Sequence, residues 1–166
     1  MAQITLRGNP THTGGDLPAV GAAAPAFSLT SGDLGEVTSA GLQGSRVVLN
    51  IFPSVDTPTC AQSVRSFNER AAGLADTSVV CVSADLPFAA KRFCGAEGIE
   101  DVSTASTFRN AEFLDDYGVR IADGPLAGLC ARAVVVIDAG GTVLHTELVA
   151  EIADEPDYDA AVAALG

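Results

Sequence analysis

A chain of 166 residues carries a net charge of −12, from 21 acidic against 9 basic side chains, which argues against nucleic acid or an anionic membrane surface as its partner. Its length suits one domain, residues 1–166, that buries about 70% of its unfolded surface and folds without staples. Hydrophobic residues make up 48% of it, so a packed core is expected throughout.

In chain order, residues 4–7, the Gly8-Asn9-Pro10 turn and residues 11–13 predict a short hairpin, within about 3–14. No basic-then-apolar leader opens the chain, and no apolar run approaches the ~18 residues of a membrane span. A cytoplasmic location is therefore expected. Residues 17–24, with Pro18 and Gly21, read as a linker. A strand at 25–29, a turn at Ser31-Gly32-Asp33 and a second strand near 36–38 follow. Residues 47–52 form a β-rich apolar run of the kind buried on both faces of a parallel sheet. A helix beginning at Pro58 then carries Val64, Phe67, Ala71 and Leu74 on one face, at a 3.6-residue period, with Gly73 near its end. Residues 78–82 are the next buried strand. Asp85 is placed to cap a helix with Pro87 in its first turn, running through Phe88 and Phe93 to a stop at Gly95. A strand around Val102 and a helix over 108–117, ending at Gly118, come next. Residues 133–138, Gly140-Gly141 and residues 143–148 predict an antiparallel hairpin, and a helix over about 158–165 closes the chain. Glu147, Glu151, Asp154, Glu155, Asp157 and Asp159 cluster late, as a solvated face or helix start, with an electrostatic docking patch as the alternative. Strands alternating with helices predict an α/β domain with a mixed central sheet flanked by helices.

The most informative stretch is Pro53-Ser54-Val55-Asp56-Thr57-Pro58-Thr59-Cys60. Thr57 suits an N-cap and Pro58 the first helical position, where its missing N–H costs nothing. Cys60 then falls within one turn of the helix start, where unpaired amides and the dipole favour an anion. A thiol there is biased toward thiolate, the nucleophilic form. A free cysteine is often only a small buried apolar residue; the polar neighbours Thr57, Thr59, Gln62 and Ser63 weigh against that here. The other cysteines are Cys81, Cys94 and Cys130. None forms a Cys-x-x-Cys pair, and His12 and His145 sit near no cysteine in sequence, so no metal site is expected.

Pro53-x-x-x-Thr57-x-x-Cys60 is similar to the active-site signature of the peroxiredoxins. The full eight-residue string resembles that of the thiol peroxidase branch, whose members are atypical two-cysteine peroxiredoxins. The similarity extends over nearly the whole chain, including the N-terminal hairpin and the strand entry Arg132-Ala133-Val134-Val135. It implies a thioredoxin-like fold with an N-terminal hairpin extension, and a homodimer. It also implies reduction of hydrogen peroxide and organic hydroperoxides through a cysteine sulfenic acid and an intramolecular disulfide. Electrons would come from thioredoxin or a similar dithiol, with no metal or organic cofactor.

Peroxide chemistry needs residues of these types. A thiolate attacks one oxygen while charge builds on the other, so the site must hold the thiolate, align the O–O bond and stabilise the leaving oxygen. An arginine offers a rigid fork of donors and a charge that does not titrate away. The resemblance points to Arg132, which by position alone reads as a surface charge at a strand end. Arg65 and Arg70 share the helix of Cys60 but lie more than a turn away, and read as solvated. The Thr57 hydroxyl can serve sulfur and peroxide or cap the helix, two uses that compete. Pro53 shields the sulfur and shapes the loop, or simply ends the strand. A second thiol must resolve the sulfenic acid before it oxidises further. Cys81, between Val80 and Val82 in a core strand, reads as structural, and the family pattern does not require Cys130. Cys94 ends a short helix that can fray cheaply, and the resemblance places the resolving cysteine on this helix, pairing Cys60 with Cys94. Two other readings use the same fold. A thiol–disulfide oxidoreductase would show Cys-x-x-Cys and reduce insulin. A non-catalytic redox sensor would oxidise slowly and fail to turn over with a dithiol reductant.

Overall fold

The apolar runs pair into one seven-stranded sheet in a computed structural model that describes residues 1–166. In chain order the elements are β1 (Gln3–Leu6), β2 (Asn9–His12), β3 (Ser28–Ser31), β4 (Glu36–Thr38), β5 (Arg46–Ile51), α1 (Pro58–Ala71), β6 (Thr77–Ser83), α2 (Pro87–Glu97), β7 (Ser103–Ser106), α3 (Glu112–Asp116), β8 (Ala133–Ile137), β9 (Val143–Leu148) and α4 (Tyr158–Ala163). The sheet order is β4-β3-β7-β6-β5-β8-β9, with β1 and β2 forming a separate hairpin. β5, β6 and β7 run parallel, and the outer pairings are antiparallel. The mixed sheet is the one expected from the sequence.

Successive side chains of a strand face opposite sides, and both sides of the central strands are covered. Leu49, Ile51, Val80, Val82 and Val135 pack with Phe27, Phe113, Leu114 and Tyr117 on one face. Val48, Val79, Cys81, Val134 and Val136 pack against Val64 and Phe67 of α1 and Ala161 of α4 on the other. Full burial of each large apolar side chain contributes about 1.5–3 kcal/mol. Burial on both faces is why β5 and β6 read as continuous apolar runs rather than alternating ones. The stripe predicted for α1 holds, with Val64 and Phe67 buried and Ala71 and Leu74 packed at its edge.

Several boundaries differ from the sequence reading. The hairpin turns at Arg7-Gly8, both with positive φ (52° and 80°), so Pro10 lies inside β2 opposite Thr5. Two consecutive left-handed residues match the twist of a tight hairpin. Helix α2 passes through Gly95 and ends at Gly98, whose left-handed φ of 66° supplies the C-cap. An interior glycine costs a helix only about 1 kcal/mol relative to alanine, too little to stop one flanked by good helix formers. The N-cap of α2 is Leu86, not Asp85. Helix α3 is shorter than expected, because Asn110 N bonds back to Thr107 O (2.9 Å) and turns the preceding segment. Gly118 does follow it: a Cβ there would lie 2.1 Å from the Asp16 carbonyl oxygen. The late acids do start a helix, since Asp157 accepts from Ala160 N at 2.9 Å and caps α4. No helix is long and apolar enough to cross a membrane.

Candidate active site

The loop from Phe52 to Thr57 leaves the C-terminal end of β5 and delivers the chain into α1. Thr57 has the extended N-cap backbone (φ −108°, ψ 145°) and Pro58 opens the helix, as expected, but the Thr57 side chain does not cap. Its Oγ1 instead donates to the Ser54 carbonyl at 2.9 Å, a nearby acceptor that competes with the helix amides. Cys60 is the third residue of α1 and is fully buried.

Strand β8 runs antiparallel to β5 with Ala133 opposite Ile51. That register sets Arg132 beside the root of the loop, where it is 2% exposed. The surface-charge reading of Arg132 is therefore wrong. Its Nη2 donates to Cys60 Sγ at 3.2 Å and its Nε to the Ile152 carbonyl at 2.8 Å. Its Nη1 has no partner, an uncommon state for a buried donor. Pro53 is buried, Thr57 exposed. Both line one cleft of about 300 Å³ together with Ser54, Arg132 and the apolar side chains of Leu6, Leu126, Leu129 and Ile152. Arg132 thus reaches both the cleft and the sulfur. A second cleft of about 340 Å³, lined by Phe27, Leu42 and Tyr117 among others, contains no cysteine.

All four cysteines are free. Cys94 is half-buried on α2, one turn before the helix end, and burial pushes its thiol up. The structure keeps it on a different helix from Cys60. Helix α2 buries only Pro87 and Ala90 and is tied to its neighbours by polar contacts. Arg65 bonds both Glu97 oxygens (2.9 and 3.0 Å) and lies over the Phe93 ring, 5.9 Å from its centroid. Arg92 pairs with Asp56 at 3.1 Å. Arg65 is therefore a partly exposed charge that also ties α1 to α2, and Arg70 joins Asp159 and the Tyr158 ring. Cys81 is buried and pushed up to about 12 by desolvation, against the opposing contact from Asn50 Nδ2 at 3.6 Å. Cys130 is likewise buried and raised to about 12, mainly by desolvation. Neither environment favours a reactive thiolate.

The segment 151–153 escaped the sequence reading. Glu151 accepts from Thr5 Oγ1 (2.7 Å), Arg7 N (2.8 Å), Gly8 N (3.0 Å) and Ala153 N (3.1 Å). The Ile152 carbonyl orients Arg132, and the Ala153 carbonyl accepts from Thr59 Oγ1 in the first turn of α1 at 2.9 Å. Three consecutive residues thus fix the hairpin, the guanidinium and the start of the Cys60 helix. The acidic cluster was the only signal in sequence, and Glu151 is a staple within it rather than a docking charge. The Thr5 hydroxyl, then the backbone amides, hold its carboxyl down to about 2, from a usual 4.5. A depressed carboxyl stabilises the fold fully above its unfolded value and loses that contribution as pH falls through the folded one. In thermal melts the stability gap between wild type and Glu151→Gln is expected to be full at pH 7 and to shrink between about 4.5 and about 2. A gap independent of pH would exclude this linkage.

The family model for Redoxin matches residues 19–162. The chain is a member of the redoxin family. Within it, the chain belongs to the thiol peroxidase branch of the peroxiredoxins: it is 67% identical over 166 residues to the thiol peroxidase of Mycobacterium tuberculosis, covering 100% of this chain and 99% of that one. It is 55% identical over 165 residues to the thiol peroxidase of Corynebacterium glutamicum, covering 99% of each. Among solved structures, a peroxiredoxin-like protein from Aquifex aeolicus superposes with a TM-score of 0.93 at 41% identity, over 98% of this redoxin and 95% of that chain. The thiol peroxidase from Chromobacterium violaceum does so at 0.90 and 22% identity, over 98% and 94%, a likeness of fold. The architecture over nearly the whole chain is thus shared with these two structures.

Proposed function

We infer that this redoxin, acting as one domain over residues 1–166, is a thiol-dependent peroxidase in which Cys60 is the nucleophile and Cys94 resolves. The observation that carries the reading is the buried guanidinium of Arg132, a residue that lines the cleft, with Nη2 on the Cys60 sulfur at 3.2 Å and Nη1 unpartnered. A peroxide oxygen entering the cleft gives Nη1 the acceptor it lacks. The Cys60 thiolate attacks the terminal oxygen of ROOH: an S–O bond forms, the O–O bond breaks, and its electron pair leaves on RO⁻. Arg132 stabilises that charge, and RO⁻ takes a proton from solvent to depart as water or an alcohol. Thr57 Oγ1, whose own proton is committed to the Ser54 carbonyl, accepts from the peroxide O–H and helps orient it. Pro53 closes the cleft on that side. The Cys94 thiol then attacks the Cys60 sulfenic acid; the S–S bond forms and the hydroxyl leaves as water with the thiol proton. A dithiol of the thioredoxin type returns two electrons and two protons, restoring both thiols. The apolar lining of the cleft suits organic hydroperoxides as well as hydrogen peroxide. We place the protein in the cytoplasm, as a homodimer.

Stopped-flow oxidation of the reduced protein by hydrogen peroxide tests this reading. Removing one preorganised donor to developing charge typically slows a reaction ~100-fold or more, and Arg132→Ala is expected to slow Cys60 oxidation to that extent. Arg132→Lys should recover only part, since an ammonium lacks the fork. An Arg132→Ala rate equal to wild type would remove the guanidinium from the mechanism.

A further inference from the structure

Asp85 does not cap the helix it precedes; Leu86 holds that position and no side chain caps α2. Its carboxylate turns the other way. Oδ1 accepts from Ser54 Oγ at 2.6 Å, and Oδ2 accepts from Val55 N and from Ser83 Oγ, both at 2.8 Å. Its own backbone is fixed by Asp85 N donating to Ser83 Oγ (3.2 Å) and by Ser106 Oγ donating to its carbonyl (2.6 Å). Two of the three donors on the carboxylate therefore belong to the loop that leads to Cys60, and the support behind it comes from the ends of β6 and β7. Hydrogen bonds to an ionised acceptor are roughly twice as strong as neutral ones, so this carboxylate is a strong polar anchor for the loop.

The chain of contacts continues to the cleft. Ser54, held by Asp85, gives its carbonyl to Thr57 N (3.1 Å) and to Thr57 Oγ1 (2.9 Å), and its Oγ accepts from Asp56 N (3.1 Å). Asp56 in turn pairs with Arg92 on α2. Asp85 also stands two residues before Pro87, where α2 begins. One carboxylate thus fastens the loop that leads to the nucleophile to the root of the helix bearing Cys94. In the reduced fold those two cysteines are free and on separate helices, and Cys60 is fully buried, whereas a disulfide needs a bond of about 2 Å between the sulfurs.

We propose that Asp85 is a positioning residue for the peroxide step, holding the Ser54–Thr57 loop in its reactive geometry, and that its bonds to Ser54 and Val55 are released when Cys94 attacks Cys60. The proposal rests on the cysteine assignments made above. Asp85 touches neither peroxide nor sulfur and acts through Ser54 and Thr57. Loosening it has opposite consequences for the two halves of the cycle: a misplaced loop slows oxidation, whereas a loop already free lowers the cost of reaching the disulfide.

Stopped-flow measurement of both steps, with peptide mapping of the product, is the test. Asp85→Ala is expected to slow oxidation of Cys60 by about 10- to 100-fold, the size of effect that a displacement of about 1 Å produces, and to speed disulfide formation. Ser54→Ala should shift both rates the same way by less, and the double variant should add little to Asp85→Ala, because the two residues act through one contact. Asp85→Asn, which keeps an acceptor for Ser54, should recover part of the oxidation rate. Leu114→Ala, a buried side chain of α3 that belongs to neither the loop nor the cleft lining, serves as the control for lost stability and should leave both rates near wild type. Rates that fall together, or that stay unchanged in Asp85→Ala, would overturn the proposal, as would the same opposed shift in Leu114→Ala. A wild-type map without a Cys60–Cys94 bond would overturn the cysteine assignment and the release step with it, and the oxidation rates would then judge the positioning role alone.

Discussion

Cys60→Ser is expected to abolish peroxide reduction. A serine hydroxyl at neutral pH supplies almost no anion, and the departing oxygen of a peroxide is displaced only by a strong, polarisable nucleophile. The substitution is close to isosteric in a site where the cysteine is fully buried, and a hydroxyl there still offers an acceptor to Arg132 Nη2. The fold should therefore survive, and loss of activity would report loss of the nucleophile alone. Turnover is read as NADPH consumption in the presence of thioredoxin and its reductase, and the single-turnover step as oxygen gained by the protein in mass spectrometry. Both signals should vanish in Cys60→Ser while the melting profile stays near that of wild type. Turnover close to wild type in a folded Cys60→Ser protein would end the assignment of Cys60.

The half of the site that lies in one stretch of chain is legible in the sequence itself. Pro53, Thr57, Pro58 and Cys60 belong to one strand–loop–helix unit, and local rules for helix starts suffice to place them. The half that comes from elsewhere is not. Arg132 reaches Cys60 across 72 residues because β8 pairs antiparallel with β5 at one register, and composition cannot reveal a register. Its importance came from resemblance; its burial came only with the fold. Glu151 and Asp85 illustrate the same limit more sharply. Both are acids at positions where an acid has an ordinary local use, in a solvated cluster or at a helix cap. Their partners, Thr5, Arg7 and Gly8 in one case and Ser54 and Val55 in the other, are distant in sequence and mostly backbone amides or small hydroxyls that leave no pattern. The fold class, by contrast, is written in the apolar runs of β5, β6 and β8, since strands covered on both faces tolerate little else. Boundaries failed where one residue type allows two outcomes: Gly95 was free to stop α2, and the chain stops it at Gly98 instead.

Cys94→Ser is expected to react once with peroxide and then stop. The variant retains Cys60, Arg132 and the cleft, so the oxidation step should proceed at a rate near wild type. What it lacks is the thiol that closes the cycle. The sulfenic acid should then persist, and with more peroxide climb to sulfinic and sulfonic acid, while thioredoxin-driven turnover is lost. Helix α2 suits the closing role physically. It buries only Pro87 and Ala90, and ties itself to α1 through the partly exposed Arg65–Glu97 pair and to the loop through the exposed Arg92–Asp56 pair; exposed pairs of this kind are each worth little. Unwinding its last turns therefore costs far less than moving Cys81 out of β6 or Cys130 out of the core, where both are fully packed. A disulfide needs a bond of about 2 Å between the sulfurs, and the proposed pairing requires α2 to supply the second one. Non-reducing peptide maps after one equivalent of peroxide should show Cys60 joined to Cys94 within a single chain, and Cys81→Ser and Cys130→Ser should keep turning over. A map joining Cys60 to Cys81 or Cys130, with Cys94→Ser fully active, would move the resolving role off α2 and leave only the nucleophile in place.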